Sequence, residues 1–144
     1  MENHTPENIE TLKKQASDRT NYKNRLNAVE GLGNFKCQQS TDILWRLMIH
    51  DKVHAVQKLA FLKLQAFGEN VKLPRKPKGH LVKDINKKLE IVLRSIDGEY
   101  SEVEFNGKFK ESYPEYFDIY QYEKGAGFNK WVKNVLSCQP KRTA

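Results

Sequence analysis

Residues 54–67 read HAVQKLAFLKLQAF, and residues 22–35 read YKNRLNAVEGLGNF. A shift of 32 residues aligns the two stretches so that chemically matching side chains coincide at helical spacing. The matched pairs are Tyr22 with His54, Arg25 with Gln57, Ala28 with Ala60, Val29 with Phe61, Leu32 with Leu64 and Phe35 with Phe67. The small Ala lets paired helices approach closely, and the Leu and Phe side chains supply buried area. The sequence therefore predicts two helices that bury the same face.

Each of these two helices follows another amphipathic segment. Thr5 and Pro6 suit the start of a first helix, as N-cap and first helical residue. A third helix is expected to begin near Ser40 or Thr41, and its core-facing stripe is Ile43, Leu44, Leu47 and Met48. The second and fourth helices are expected over residues 21–36 and 52–67. Because neither helix pair can bury its apolar face alone, we expect the two pairs to stack.

Two short strings within the repeat carry a family likeness. NRLNA at residues 24–28 and VQKLA at residues 56–60, the second preceded by Asp51, resemble the Val-Arg-x-x-Ala core of HEAT-type repeats and its upstream Asp. The departures are Asn24 at the Val position, Gln57 at the Arg position and Arg19 where the first Asp is expected. The resemblance covers residues 6–70. It implies a short α-solenoid, stitched by Asp–Arg pairs, with a concave face that binds a partner.

The repeat region ends at a boundary. Residues 71–80 read VKLPRKPKGH, and their two prolines and one glycine are incompatible with a helix interior, so we interpret them as a basic linker. Three further helices are expected after it, over residues 81–96, over residues 101–113 and from the end of the run at 125–127 onward. The predicted organisation is thus repeats over 1–70, a linker over 71–80, a three-helix unit over 81–138 and a tail over 139–144.

The predicted three-helix unit also resembles a known family of domains. Its aromatic and apolar positions over residues 85–136 resemble the LOTUS family of helix-turn-helix domains. The residues that carry the likeness are Phe105, Phe109, Tyr113-Pro114, Phe117-Asp118 and Gly127-Phe128. The resemblance implies binding of RNA or of a protein partner. The expected fold is therefore all-α, a short α-solenoid of two HEAT-like helical hairpins followed by a three-helix, helix-turn-helix-like unit.

Positive charge is concentrated in one stretch. The chain carries a net charge of +7, and residues 71–96 contain eight basic side chains against Asp84 and Glu90. We interpret this stretch as a surface that attracts phosphate backbones or an acidic protein partner. The alternative interpretation is a solvated linker and helix face that binds no partner. The candidate nucleic-acid-binding residues are Lys72, Arg75, Lys76, Lys78, Lys83, Lys87, Lys88, Lys130 and Lys133.

Residues with catalytic or metal-binding chemistry do not form a recognisable site. His50 and His54 have zinc-ligand spacing but no third ligand, and Cys37 and Cys138 fit free thiols rather than a disulfide or zinc site. The glycine run at 124–127 matches no phosphate-binding loop. We therefore predict no catalytic residue, metal or cofactor and no small-molecule substrate. The enzymatic alternative is a relative of HEAT-like DNA glycosylases.

An aromatic stretch and the hydropathy complete the sequence-based picture. The stretch comprises Tyr100, Tyr113, Tyr116, Phe117, Tyr120 and Tyr122, which suit core packing with hydroxyls in water, or base stacking. No segment has the apolar length of a membrane span, so we expect a cytoplasmic protein without membrane contact. The leading hypothesis is a non-catalytic scaffold that binds a protein partner. The alternative is an RNA- or DNA-binding protein that uses the basic linker and the C-terminal unit.

Overall fold

A computed structural model of the protein describes residues 1–76, 81–96 and 98–137. The prediction of an all-α fold is confirmed, because these residues form eight α-helices, a short 3-10 turn over Gly125–Gly127 and no strand longer than an isolated bridge between Glu2 and Phe35. The helices are α1 (Ile9–Ala16), α2 (Tyr22–Leu32), α3 (Gln38–His50), α4 (His54–Ala66), α5 (Ile85–Arg94), α6 (Glu102–Ser112), α7 (Pro114–Lys124) and α8 (Phe128–Ser137). The chain divides into two compact units, Met1–Lys76 and Pro77–Ala144.

Unit 1 consists of the two expected helix pairs. Helix α1 packs on α2, α3 packs on α4, and α2 packs on α4. The equivalent residues Ala28 and Ala60 are both fully buried, as are Leu32 and Leu64. The shift of 32 residues thus describes the packing as well as the sequence.

Helix ends in unit 1 differ from the sequence-based expectation by a few residues. Helix α3 begins at Gln38 rather than at Ser40 or Thr41, because the sulfur of Cys37 caps it by accepting a hydrogen bond from the Ser40 amide at 3.4 Å. Helix α1 begins at Ile9, after a turn in which the Pro6 carbonyl accepts a bond from the Ile9 amide.

Gly33 ends α2 and leaves room for a side chain of α4. A Cβ atom on Gly33 would lie 2.4 Å from Cδ of Lys63, so any larger residue would displace the hydrocarbon part of that side chain. Lys63 passes over the glycine, and its Nζ lies 3.1 Å from a carboxylate oxygen of Glu30 on α2. The path of the Lys63 side chain to Glu30 therefore depends on the absence of a side chain at residue 33.

Unit 2 contains four α-helices within its described residues, so the prediction of three is wrong. The overlooked helix is α7, which begins at Pro114. Proline was expected to end a helix, and α6 does end just before it, but Pro114 also occupies the first position of the next helix, where its missing N–H is not needed. The expected cap of α6 is present, because Ser101 Oγ accepts a hydrogen bond from the Glu104 amide at 3.1 Å.

The core of unit 2 is aromatic. Phe105 and Phe109 are fully buried, and the Phe109 ring stacks parallel to that of Phe128. Tyr120 stacks on Trp131 with ring centroids 4.6 Å apart. Its hydroxyl was expected to face water, but it is buried and accepts a hydrogen bond from the Val82 amide at 3.1 Å. Core packing thus accounts for the most buried members of the aromatic stretch.

Candidate binding surfaces

A buried ion pair joins the two helix pairs of unit 1. Arg25 Nε on α2 donates to Asp51 Oδ2 at 2.7 Å, and Arg25 Nη2 donates to Asp51 Oδ1 at 3.3 Å. Both side chains are at least nine-tenths buried. Arg25 Nη1 also donates to the backbone carbonyl of Asp18, which precedes α2. The Arg25 guanidinium therefore connects the turn between α1 and α2 with the turn between α3 and α4.

The residue equivalent to Arg25 in the second pair behaves differently. Gln57 is buried, and its Nε2 donates to the backbone carbonyl of Met48, within its own helix pair, at 2.9 Å. The Gln57 amide thus bonds to α3 of its own helix pair and does not use a carboxylate from another helix pair.

Helix α4 leaves an apolar stripe on its outer side. Ala55, Leu59, Leu62 and Ala66 are spaced by four, three and four residues, which places them on one helix face. The buried residues of α4 lie on the opposite face. Leu62 is 46% exposed, Ala66 is exposed, and the other two are partly exposed. We call these four residues the α4 stripe.

The charged side chains that α4 itself contributes are basic. Residues 52–68 contain Lys52, Lys58 and Lys63 and no Asp or Glu. The α2 residues equivalent to the stripe by the 32-residue shift are exposed and polar, namely Lys23, Asn27, Glu30 and Asn34. The apolar surface is therefore confined to the second pair.

The basic residues predicted to bind nucleic acid are distributed over both units. Lys72, Arg75 and Lys76 are exposed on the extended end of unit 1, whereas Lys83 and Lys87 belong to unit 2. Lys78 lies outside the described residues.

Three more of these candidates lie on α5 and α8. Lys88 is only partly exposed, and its Nζ lies 5.5 Å from the centre of the Tyr116 ring, so it packs on α7 instead of projecting freely. Lys130 and Lys133 are exposed on α8, which packs against α5. The structure thus places Lys87, Lys130 and Lys133 on two neighbouring helices.

His50 and His54, which have zinc-ligand spacing in the sequence, lie on two different helices. His50 ends α3 and His54 begins α4, and in residues 1–76, 81–96 and 98–137 no three His, Cys, Asp or Glu side chains are grouped so that they could hold a metal ion. The Nδ1 atom of His54 is buried and has no hydrogen-bond partner in this part of the chain. Cys138 lies outside the described residues.

The thiol of Cys37 lies in a polar environment at the start of α3. Burial raises its pKa, but hydrogen bonding with the hydroxyls of Ser40 and Thr5 and with the Ser40 amide outweighs that effect and places the pKa below its ordinary value. We assign these contacts to capping of α3.

The fold and surfaces define an all-helical protein of two units, the first built from two stacked helix pairs. No protein-family model, curated protein or solved structure matches the chain. Among the helices described, none has the combination of length and apolar character that crossing a membrane requires.

The α4 stripe escaped the sequence-based search, although its spacing is visible in the sequence. The helical pattern of these fourteen residues is accounted for by Val56, Leu59, Ala60, Leu64 and Phe67, so Leu59 is expected in the core. In the structure Leu59 is partly exposed and belongs to the stripe. A helix that is apolar on two faces shows a weak amphipathic pattern, so the second face is recognised only after the first has been assigned to a core.

Proposed function

We propose that this chain is a non-catalytic binding protein whose unit 1 holds a protein partner on the α4 stripe. The observation that carries the proposal is the exposure of Leu62 and Ala66, and the partial exposure of Ala55 and Leu59, on a helix whose opposite face is buried. Water-exposed leucine and alanine side chains in helical register form a surface into which the apolar face of another helix can pack.

Charge selects the chemistry of the partner. Residues 52–68 contain no acidic side chain, and of their lysines Lys63 already pairs with Glu30 of α2, whereas Lys58 is exposed. An amphipathic helix with Leu on one face and Glu or Asp beside it would bury its apolar face against Leu59 and Leu62 while its carboxylates approach Lys58. We therefore propose an acidic amphipathic helix as the bound element.

The proposal is tested with a labelled designed peptide that carries Leu at positions i, i+3, i+4 and i+7 and Glu elsewhere. Fluorescence anisotropy with the full chain measures the affinity, and a scrambled peptide of the same composition is the reference. We expect Leu62→Glu to weaken binding by about tenfold or more, which corresponds to about 1.4 kcal/mol.

The matched control is Val103→Glu on α6 of unit 2. Val103 is 82% exposed, so the same substitution changes charge and exposed apolar area without altering α4. Equal loss of affinity in both variants, or equal binding of the scrambled peptide, would overturn the proposal.

A further inference from the structure

Charge in unit 2 is separated between its helices. Residues 81–137 contain nine basic and ten acidic side chains, so this region carries almost no net charge. Helices α5 and α8 together contain five basic residues and Glu90, and Lys83 and the exposed Asp84 directly precede α5. Helices α6 and α7 contain three basic and six acidic residues. Because α5 packs on α8, the positive charge belongs to one helix pair and does not reflect the chain's overall charge.

Among the described residues of unit 2, the basic ones without an acidic or aromatic partner lie on α5 and α8 or, in the case of Lys83, directly before α5. On α6 and α7, Lys108 approaches Glu111, and Lys110 and Lys124 lie over the rings of Phe117 and Trp131. On α5, Arg94 pairs with Glu90 and Lys88 lies over Tyr116. Within residues 81–96 and 98–137, the lysines whose ammonium groups have no acidic or aromatic partner are Lys83, Lys87, Lys130 and Lys133.

The exposed face of α8 is suited to negatively charged ligands. It consists of Asn129, Lys130, Lys133, Asn134 and Ser137, and α8 contains no acidic residue. The Oδ1 atom of Asn129 already accepts a hydrogen bond from Asn106 at 3.2 Å, so its amide group is oriented as a donor. Among the residues of α8, this face therefore combines two unpaired lysines with neutral donors and has no carboxylate.

We propose that α8, together with Lys83 and Lys87 beside α5, binds the phosphodiester backbone of a nucleic acid. Phosphate groups neutralise the four unpaired lysines, and the amide and hydroxyl groups of α8 donate hydrogen bonds to phosphate or sugar oxygens. The acidic α6 and α7 keep the nucleic acid on one side of the unit. This inference is independent of the partner proposed for unit 1.

The test is fluorescence anisotropy of the full chain with labelled single-stranded RNA, single-stranded DNA and duplex DNA. Four neutralised phosphates predict that raising the salt from ~50 to ~200 mM lowers affinity about 50-fold for a single strand and about 150-fold for a duplex. The three nucleic acids distinguish which strand form fits α8.

Two variants with the same charge change locate the surface. Lys130→Gln/Lys133→Gln is expected to weaken binding at least tenfold and to lower the salt dependence by about two phosphate contacts. Lys108→Gln/Lys110→Gln on α6 is expected to leave the affinity within about twofold. Unfolding curves of both variants check that each remains folded.

Three results would overturn the inference. They are the absence of binding at low salt, equal weakening by the α6 variant, and equal affinity for poly-glutamate of matched length. The last would assign the positive side to an acidic protein surface.

Discussion

The two helix pairs of unit 1 each bury a polar side chain in the first turn of their second helix, but these two side chains bond to different partners. In the first pair, Arg25 reaches out of its pair to Asp51. In the second, the equivalent Gln57 turns back to the Met48 carbonyl of its own pair. A buried charge requires an opposite charge, whereas a buried amide is neutral and can donate to a backbone carbonyl without any charged partner. The comparison shows that the residue type at this position, Arg or Gln, decides whether the buried polar side chain bonds to the other helix pair or within its own pair.

Asp51→Asn is the substitution with the largest expected effect on the stability of unit 1. The variant keeps an oxygen that can accept the bond from the Val53 amide but leaves the buried Arg25 charge without its carboxylate. We expect the unfolding free energy of unit 1 to fall by about 3–5 kcal/mol.

Urea denaturation followed by Trp45 fluorescence measures the Asp51→Asn effect, in a Trp131→Phe background that removes the signal of unit 2. Asp42→Asn, an exposed carboxylate on α3, is the control and should change stability by less than about 0.5 kcal/mol. Similar losses for the two variants would show that the buried pair does not hold the two pairs together.

The second test acts on the inward-turned amide. Gln57→Leu removes the donor and leaves the Met48 carbonyl buried without a partner, so we expect a loss of about 1–3 kcal/mol, less than for Asp51→Asn. The same denaturation experiment applies. Gln65→Leu, the same substitution at an exposed site on the same helix, controls for added apolar surface. A loss as large as that of Asp51→Asn would contradict the difference between charged and neutral burial.

The smallest effect concerns the carboxylate before α2. Hydrogen bonds from the Thr20 hydroxyl and the Asn24 amide, at 2.7 and 3.0 Å, lower the pKa of Asp18. Its contribution to stability is therefore present above the ordinary pKa of about 3.9 and is lost as the pH falls through the lowered value.

We expect Asp18→Asn to reduce stability at neutral pH by less than about 1 kcal/mol, since solvent screens the site, and to flatten the acid limb of the stability curve. Denaturation midpoints from about pH 2 to 7 test this effect. An unchanged acid limb would exclude Asp18 as its source.

Much of the fold could be predicted from the sequence because buried positions repeat at helical spacing. That period located the four helices of unit 1 and their buried faces, including Ala28 and Ala60. It did not locate the acid before α2, because the 32-residue shift points to Arg19, whereas the carboxylate in this turn is that of Asp18 and accepts hydrogen bonds from Thr20 and Asn24. The Arg25 guanidinium donates to the backbone carbonyl of Asp18. Residues in a turn are not bound by the helical period, so an alignment of helices can miss them by one.

The features that the sequence did not predict depend on contacts between distant residues. Helix α7 was missed because proline was interpreted as an end, although it also suits a beginning. The Tyr120 hydroxyl was assigned to water, whereas the amide of Val82, 38 residues away, donates to it. Lys88 and Lys130 have the same charge in the sequence, and only the structure shows that Lys88 packs over Tyr116. Pairing of this kind is not encoded in local spacing.

The direction in which Gln57 turns also sets how this chain could lengthen during evolution. A duplicated pair inserted after α4 would bring its own turn carboxylate next to an amide that is already bonded to Met48. Such a duplication gains an ionic link only if Gln57 also changes to Arg. An ionic link at this end therefore needs two genetic events, a duplication and a substitution at residue 57.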